Sequence, residues 1–184
     1  MIKFKQLAAA AALALAGLHT QAAPVAVDVS GAASRGLLGD AGNTVWLVNV
    51  GANAVLNSLN WQVLLEAFTP SLLSEMQVSF GSSSGLDQVT LTPGMADALS
   101  GTGQYAGSVD LSGYGLSVGA DGLLRLEFSE AFVDAQAGGL DGVWTSGQLT
   151  FDVGSGNLPE PAGLALALTS LAALATARRR MRGG

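Results

Sequence analysis

The central part of the chain is predicted to form an all-β domain, an antiparallel β-sandwich with a jelly-roll-like arrangement of strands. Three observations predict it. Apolar and polar residues alternate strictly in several stretches, for example LRLEFS at residues 124–129, which is the pattern of a strand with one buried face. Gly, Asn and Ser interrupt these stretches at short intervals, and no long helical pattern competes with them. Short strands separated by turns are typical of sandwiches.

The individual strands follow from the same patterns. They are predicted at residues 25–29, 44–50, 59–65, 76–80, 88–92, 109–111, 116–118, 124–128, 143–145 and 149–153. Two Asp-Gly pairs, Asp121-Gly122 and Asp141-Gly142, precede apolar runs and predict hairpin turns. Residues 95–101 are expected to form one turn of helix at most.

The first 22 residues are predicted to be a helical secretory signal peptide. Lys3 and Lys5 supply a positive start, and residues 7–18 form an apolar stretch too short for a comfortable membrane span. Small residues follow, and cleavage is expected next to Ala22 and Ala23, with the bond after Ala22 preferred. An alanine-rich soluble helix is the alternative, but it leaves this order of segments unexplained. We therefore expect an exported protein.

Without its ends the chain is much more acidic. The whole sequence carries a net charge of −6, whereas residues 23–158 contain two Arg and thirteen Asp or Glu, which is two minus thirteen, or −11. Such a body should repel nucleic acid and could attract divalent cations. It also contains no Lys, His or Cys, and hence no disulfide.

The C-terminal region combines three features in order. Pro159-Glu160-Pro161 comes first, residues 162–177 then carry no charge, and a basic tail, residues 178–184, follows. The basic residues are Arg178, Arg179, Arg180 and Arg182. As a helix, the uncharged run would span about 24 Å, slightly short of a bilayer core of about 30 Å. Snorkelling arginines on the cytoplasmic side can make up the difference, so a transmembrane helix is predicted rather than an amphipathic core helix.

This ending resembles the PEP-CTERM sorting signal of exported proteins in Gram-negative bacteria. The resemblance covers residues 159–184 and implies sorting by an exosortase, a membrane-embedded cysteine transpeptidase that acts near the Pro-Glu-Pro triplet. It also implies an association with exopolysaccharide and biofilm. The predicted organisation is thus a signal peptide (1–22), a β-sandwich passenger domain (23–153), a flexible linker (154–158) and the sorting signal (159–184). The passenger is more loosely similar to domains that precede such signals, a likeness that implies no activity.

The residue types missing from the body exclude several reaction classes. Without His, Cys or Lys it cannot form a Ser-His-Asp or Cys-His site, a typical zinc site, a Schiff base or a P-loop. Carboxylate chemistry remains, as in a glycosidase that needs two acids across a sugar cleft. Glu127 and Glu130 are three residues apart on one strand, however, so they should point to opposite faces. No pair of acids stands out.

The remaining acidic residues could bind a metal ion or pair with an arginine. Asp121, Asp134 and Asp141 are weak calcium candidates, because hard cations prefer oxygen ligands, but no EF-hand spacing is present and a solvated acidic surface is favoured; no other metal or cofactor is expected. Arg125 and Glu127 should form a surface ion pair that contributes little.

Aromatic side chains could form a stacking platform for sugar rings. Trp46, Trp61 and Trp144 are candidates, but Trp61 and Trp144 are expected in the core. Tyr105 and Tyr114 lie in Gly-rich stretches and are expected in exposed loops.

We therefore expect a non-enzymatic exported protein, briefly anchored by its C-terminal helix and then delivered to the cell surface or matrix. Its expected partners are signal peptidase, an exosortase, the membrane before processing and an exopolysaccharide, and not nucleic acid. A secreted carbohydrate- or calcium-binding module is the alternative, and a carboxylate-based glycoside hydrolase is a remote one.

Overall fold

The alternating stretches form two antiparallel sheets that pack together as a β-sandwich. The computed structural model describes residues 24–134 and 139–154. The strands in this part are β1 (Val25–Asp28), β2 (Ala32–Ser34), β3 (Thr44–Asn49), β4 (Val55–Ala67), β5 (Met76–Ser82), β6 (Gln88–Leu91), β7 (Gly101–Asp110), β8 (Leu123–Glu130) and β9 (Gly142–Gly154). A short 3-10 helix, Ser112–Tyr114, follows β7. The predicted all-β class is confirmed.

The two sheets share the strands almost equally. The first sheet, called sheet A here, has the order β1-β9-β4-β7, with β2 also paired to β9. The second, sheet B, has the order β3-β8-β5-β6. After β2, the chain changes sheets at every connection except the hairpin from β5 to β6, so neighbours in the sheet are mostly distant in sequence.

The hydrophobic core lies between the sheets and is drawn from residues 27–153. Aromatic rings from both sheets meet edge to face: Phe80 and Phe151 have ring centroids 5.3 Å apart, and Phe128 and Trp144 are 5.2 Å apart. Such pairs add about 0.5–1.5 kcal/mol beyond the burial of their surface. The alternation of β8 is confirmed, since Leu124, Leu126 and Phe128 are fully buried in this core.

Several strand predictions were wrong in detail. Residues 143–145 and 149–153 belong to one strand, β9, which has a bulge opposite Leu64 and Leu65. Strand β7 begins at Gly101, although only its last residues were predicted to be extended, and β2 was missed. Residues 116–118 make a single bridge, Val55 to Ser117, and no strand.

The two Asp-Gly predictions have different outcomes. Gly122 has φ of 72° and its N–H donates a hydrogen bond to the carbonyl of Gly119, so this turn exists. It connects residues 116–118, which form only the single bridge, to β8, and therefore does not join two paired strands of a hairpin. Asp141 is 1 % exposed and Gly142 is already the first residue of β9, so no turn is centred there. Residues 95–101 contain turns and no helix.

The chain enters and leaves sheet A at the same end. Val25, at the start of β1, is the register partner of Phe151 near the end of β9. The predicted signal peptide, cleavage site, linker residues 155–158 and sorting signal lie outside the described residues. In the described part, no helix is long and apolar enough to cross a membrane.

Candidate functional site

The outer face of sheet A carries an open depression of about 570 Å³ across β7, β4 and β9. We call it the amide groove, because the side chains of Asn60, Gln62, Gln104 and Gln148 line it. These residues are exposed. They occupy the polar positions of strands whose alternate residues face the core, so the alternation that builds the core also builds this surface.

Strand register places the side chains of this sheet face in three rows. Each row takes one residue from β7, one from β4 and one from β9, because directly paired residues point to the same face. The rows are Gln104–Leu64–Ser146, Ala106–Gln62–Gln148 and Ser108–Asn60–Thr150. Gln62 is therefore at the centre, between the small Ala106 and a second amide.

Two glycines set the shape of the groove. At Gly147, φ is +124° and a Cβ atom would lie 2.3 Å from the backbone oxygen of Gln62, so a side chain is excluded there. At Gly107, a Cβ atom would lie 2.4 Å from Cζ2 of Trp61. The indole thus covers the opposite side of β7 and occupies the position that a side chain at Gly107 would take.

The groove is electrically neutral inside a negative border. The lining contains no Asp, Glu, Lys or Arg. Glu66 lies beyond one end row, Asp110 and Asp152 lie beyond the other as the partners of Ser58, and Asp28 pairs with Gln148 on the β1 side. Hydrogen bonds from Ser30 lower the pKa of Asp28, and hydrogen bonds from Ser112 lower that of Asp110.

Most side-chain amides of the groove make no hydrogen bond within the described part of the protein. Within the described residues, the side chains of Asn60, Gln62 and Gln104 make no hydrogen bond to the protein, and Gln148 accepts one 3.4 Å bond from the Thr150 hydroxyl. A carboxamide offers two N–H donors and an acceptor oxygen. The groove can therefore bond a ligand that presents donors and acceptors together.

The aromatic residues do not form a common platform. Trp144 is fully buried, as predicted, whereas Trp61 is half-buried at the edge of the core. Trp46 packs edge to face on Phe128 at 4.9 Å. Tyr114 is exposed in the 3-10 helix.

The loop prediction for Tyr105 was wrong. It lies in β7, half-buried, and its hydroxyl donates a 2.7 Å hydrogen bond to Asp97. Burial and the Asp97 carboxylate raise the pKa of Tyr105 to about 12.

The predicted Arg125–Glu127 ion pair exists but is not on the surface. Arg125 Nη2 lies 2.6 Å from Glu127 Oε2, and Glu127 is 1 % exposed. The other carboxylate oxygen, Oε1, accepts hydrogen bonds from Asn43 Nδ2 and from the Gly39 N–H of the loop before β3. Burial alone would raise the pKa of Glu127, but these bonds and the guanidinium outweigh it and lower the pKa.

Glu130 points the opposite way, into the sandwich, as the spacing predicted. It is 1 % exposed, Oε1 accepts a hydrogen bond from the Ser34 hydroxyl, and Oε2 has no partner among the described residues. Burial, reinforced by the negative charges of Asp141, Glu75 and Asp134, raises the pKa of Glu130 to about 8. The side chain is therefore a neutral acid at pH 7.

The three calcium candidates are not brought together. Asp134 and Asp141 act on Glu130 at the end of β8. Asp121 precedes the other end of that strand, where it accepts a 2.6 Å hydrogen bond from Ser83. In residues 24–134 and 139–154, no three acidic side chains are grouped so that they could hold a metal ion.

The sequence-based search missed the amide groove. Its signal was present in β4 and β9, where Asn60, Gln62, Gln148 and Thr150 occupy alternate polar positions. The contribution of β7 was not predicted because most of β7 was not recognised as a strand. The pairing of β4 with both β7 and β9 also cannot be predicted from the local alternation of apolar and polar residues.

Neither a family model nor a curated protein sequence matches the chain. Among solved structures, it is similar to "Crystal structure of infectious bursal disease virus VP2 subviral particle", with 12 % sequence identity and a TM-score of 0.39. The match covers 74 % of this chain and 34 % of that chain, so the chain spans about a third of the viral protein's length.

Proposed function

We propose that this is an exported, non-enzymatic protein of the cell surface or extracellular matrix, sorted by an exosortase and associated with exopolysaccharide. The observation that carries the proposal is the ordered C-terminal ending of residues 159–184, together with the signal-like first 22 residues. The Pro-Glu-Pro triplet favours an extended, accessible segment before the transmembrane helix, because proline cannot continue a helix.

The fold is compatible with this use. Because β1 and β9 are antiparallel neighbours, the chain enters and leaves the domain at one end. Both membrane-directed segments would then lie on that side, leaving the rest of the sandwich free to face outward. The strand orders of sheets A and B also support a jelly-roll assignment, if β1 and β2 are counted as one interrupted strand.

A non-enzymatic role is supported by how the acids are used. The groove lining contains no carboxylate, whereas a glycosidase cleft needs two. Glu127 is bonded to Arg125 and Asn43 under a loop, and Glu130 is buried on the opposite face of β8. Neither has the exposed, facing geometry of an acid–base pair.

The sorting proposal is tested by the mass of the C-terminus. The full-length chain is expressed in a host with its exosortase and in the same host without it, and the mature protein is analysed by mass spectrometry. We expect loss of the residues that follow the triplet only when the exosortase is present. Replacing residues 159–161 by alanine should block the loss, while Ser155→Ala in the preceding spacer should not. An unchanged C-terminus in both hosts contradicts the proposal.

A further inference from the structure

We propose that the amide groove on sheet A binds an uncharged polysaccharide chain. This inference gives a ligand class to a surface that the proposed function leaves unassigned. It depends only on the folded domain, so it stands or falls separately from exosortase sorting.

The first argument is the chemistry of the lining. A sugar hydroxyl donates one hydrogen bond and accepts others, and a carboxamide can meet both needs from a single side chain. Asn60, Gln62 and Gln104 present such groups without a protein partner in the described part of the chain. The hydroxyls of Ser146 and Thr150 add further donors and acceptors on the β9 side.

The second argument is charge. An anionic polymer would lie among Asp28, Glu66, Asp110 and Asp152 without any cationic group in the lining, and like charges repel. A cationic polymer would be drawn to the border but would find no carboxylate in the centre. A neutral chain alone matches both the uncharged floor and its acidic border.

The third argument is shape. The groove is a broad, open face across three strands and not a closed cavity, and its volume is within the range of small-molecule sites, about 300–1,000 Å³. An extended polymer can lie across such a face without ending in it. Trp61 also lines the groove, but its indole packs against Gly107 on the other side of β7, so it does not offer a stacking face to a sugar ring there. Hydrogen bonds must then provide most of the affinity, and repeated sites along a polymer would raise it by avidity.

The test uses residues 23–158, which contain the whole hydrophobic core of the described residues, drawn from residues 27–153. Affinity gel electrophoresis and calorimetry are run with hydroxyethyl cellulose and mannan as neutral polymers, alginate as a polyanion and chitosan as a polycation. We expect binding to at least one neutral polymer, little change between 50 and about 300 mM salt because no charges are paired, and no binding to alginate.

Variants locate the binding site. Gln62→Ala should weaken binding about two- to tenfold, the effect of one lost hydrogen-bonding group. Gln77→Ala is the matched control, because Gln77 is a half-buried amide on the outer face of sheet B, and it should bind like the wild type. Ala106→Trp should abolish binding by filling the space beside Gln62. Circular dichroism confirms that each variant is folded.

Several results would overturn the proposal. These are binding to neither neutral polymer, equal weakening by Gln77→Ala, undiminished binding by Ala106→Trp, and exclusive binding of alginate or chitosan. A wild-type dimer that Ala106→Trp dissociates would identify the groove as a contact between copies of the chain, and would likewise refute a polysaccharide site.

Discussion

Replacing Glu130 by glutamine should remove most of the pH dependence of stability that arises above about pH 5. The folded protein holds this carboxyl group almost completely away from water, with Asp141, Glu75 and Asp134 adding repulsion, so its pKa rises from 4.5 to about 8. In the unfolded chain the same group ionises near its ordinary value. Between those two values the native state binds a proton that the unfolded state has released, and the free energy of unfolding therefore falls as pH rises.

The size of the effect follows from the two pKa values. Each unit of separation corresponds to about 1.4 kcal/mol. The penalty is nearly absent at pH 4, where both states are protonated. It reaches about 3 kcal/mol at pH 7 and levels off near 5 kcal/mol above pH 8, where both states are ionised. A penalty of this size is a large part of the stability of an ordinary domain, about 5–15 kcal/mol.

The measurement is urea unfolding from pH 4 to pH 9, followed by tryptophan fluorescence. Trp144, which is fully buried against Phe128, is a suitable reporter. The amide cannot titrate, so the Glu130→Gln variant should gain about 4 kcal/mol over the wild type between pH 5 and pH 9. Any fixed cost of the substitution appears at pH 4, where both side chains are neutral. Parallel stability curves over the whole range would refute the assignment of a buried neutral acid.

Two further predictions concern packing and charge on sheet B. Arg125→Ala should lower the free energy of unfolding by about 2–4 kcal/mol at pH 7, because it leaves the buried Glu127 carboxylate without its cation; a urea titration checks this, and adding Glu127→Gln should recover part of the loss. Gly81→Ala should cost about 1–3 kcal/mol or more, since a Cβ atom would lie 1.8 Å from the Asp87 carbonyl oxygen. Gly113→Ala, where nothing lies within 4 Å, should leave the midpoint of thermal unfolding nearly unchanged, and equal shifts in the two glycine variants would contradict the contact.

The strands that the sequence predicted well are those whose apolar residues bury a complete face. Residues 124–128 are an example, because three large side chains at alternate positions enter the core. The same alternation places Glu130 inward, so the direction of that side chain could be predicted. Its burial could not, since it depends on Ser34 and on loops that are distant in sequence.

Strand β7 shows why the candidate site was missed. Its sequence, GTGQYAGSVD, is rich in Gly, Ala and Ser, which have low strand propensity and supply little buried surface. It is extended because β4 pairs with it along ten residues. The local pattern of apolar and polar residues does not indicate that pairing. The groove depends on it, so only the side chains of β4 and β9 could have been suspected beforehand.

The position of β9 has a mechanical consequence. This strand carries Ser146, Gln148 and Thr150 in the groove and also leads into the proposed anchor. While the sorting signal is still attached, tension between a bound polymer and the membrane would therefore pass along β9 itself, across its hydrogen bonds to β4 on one side and to β1 and β2 on the other. Those bonds lie perpendicular to the strand and would be loaded in shear, many at once, whereas pulling the two chain ends apart would peel β1 from β9 one pair at a time. The domain should thus withstand a larger force between a bound polymer and the C-terminal anchor than a force that separates its own N- and C-termini.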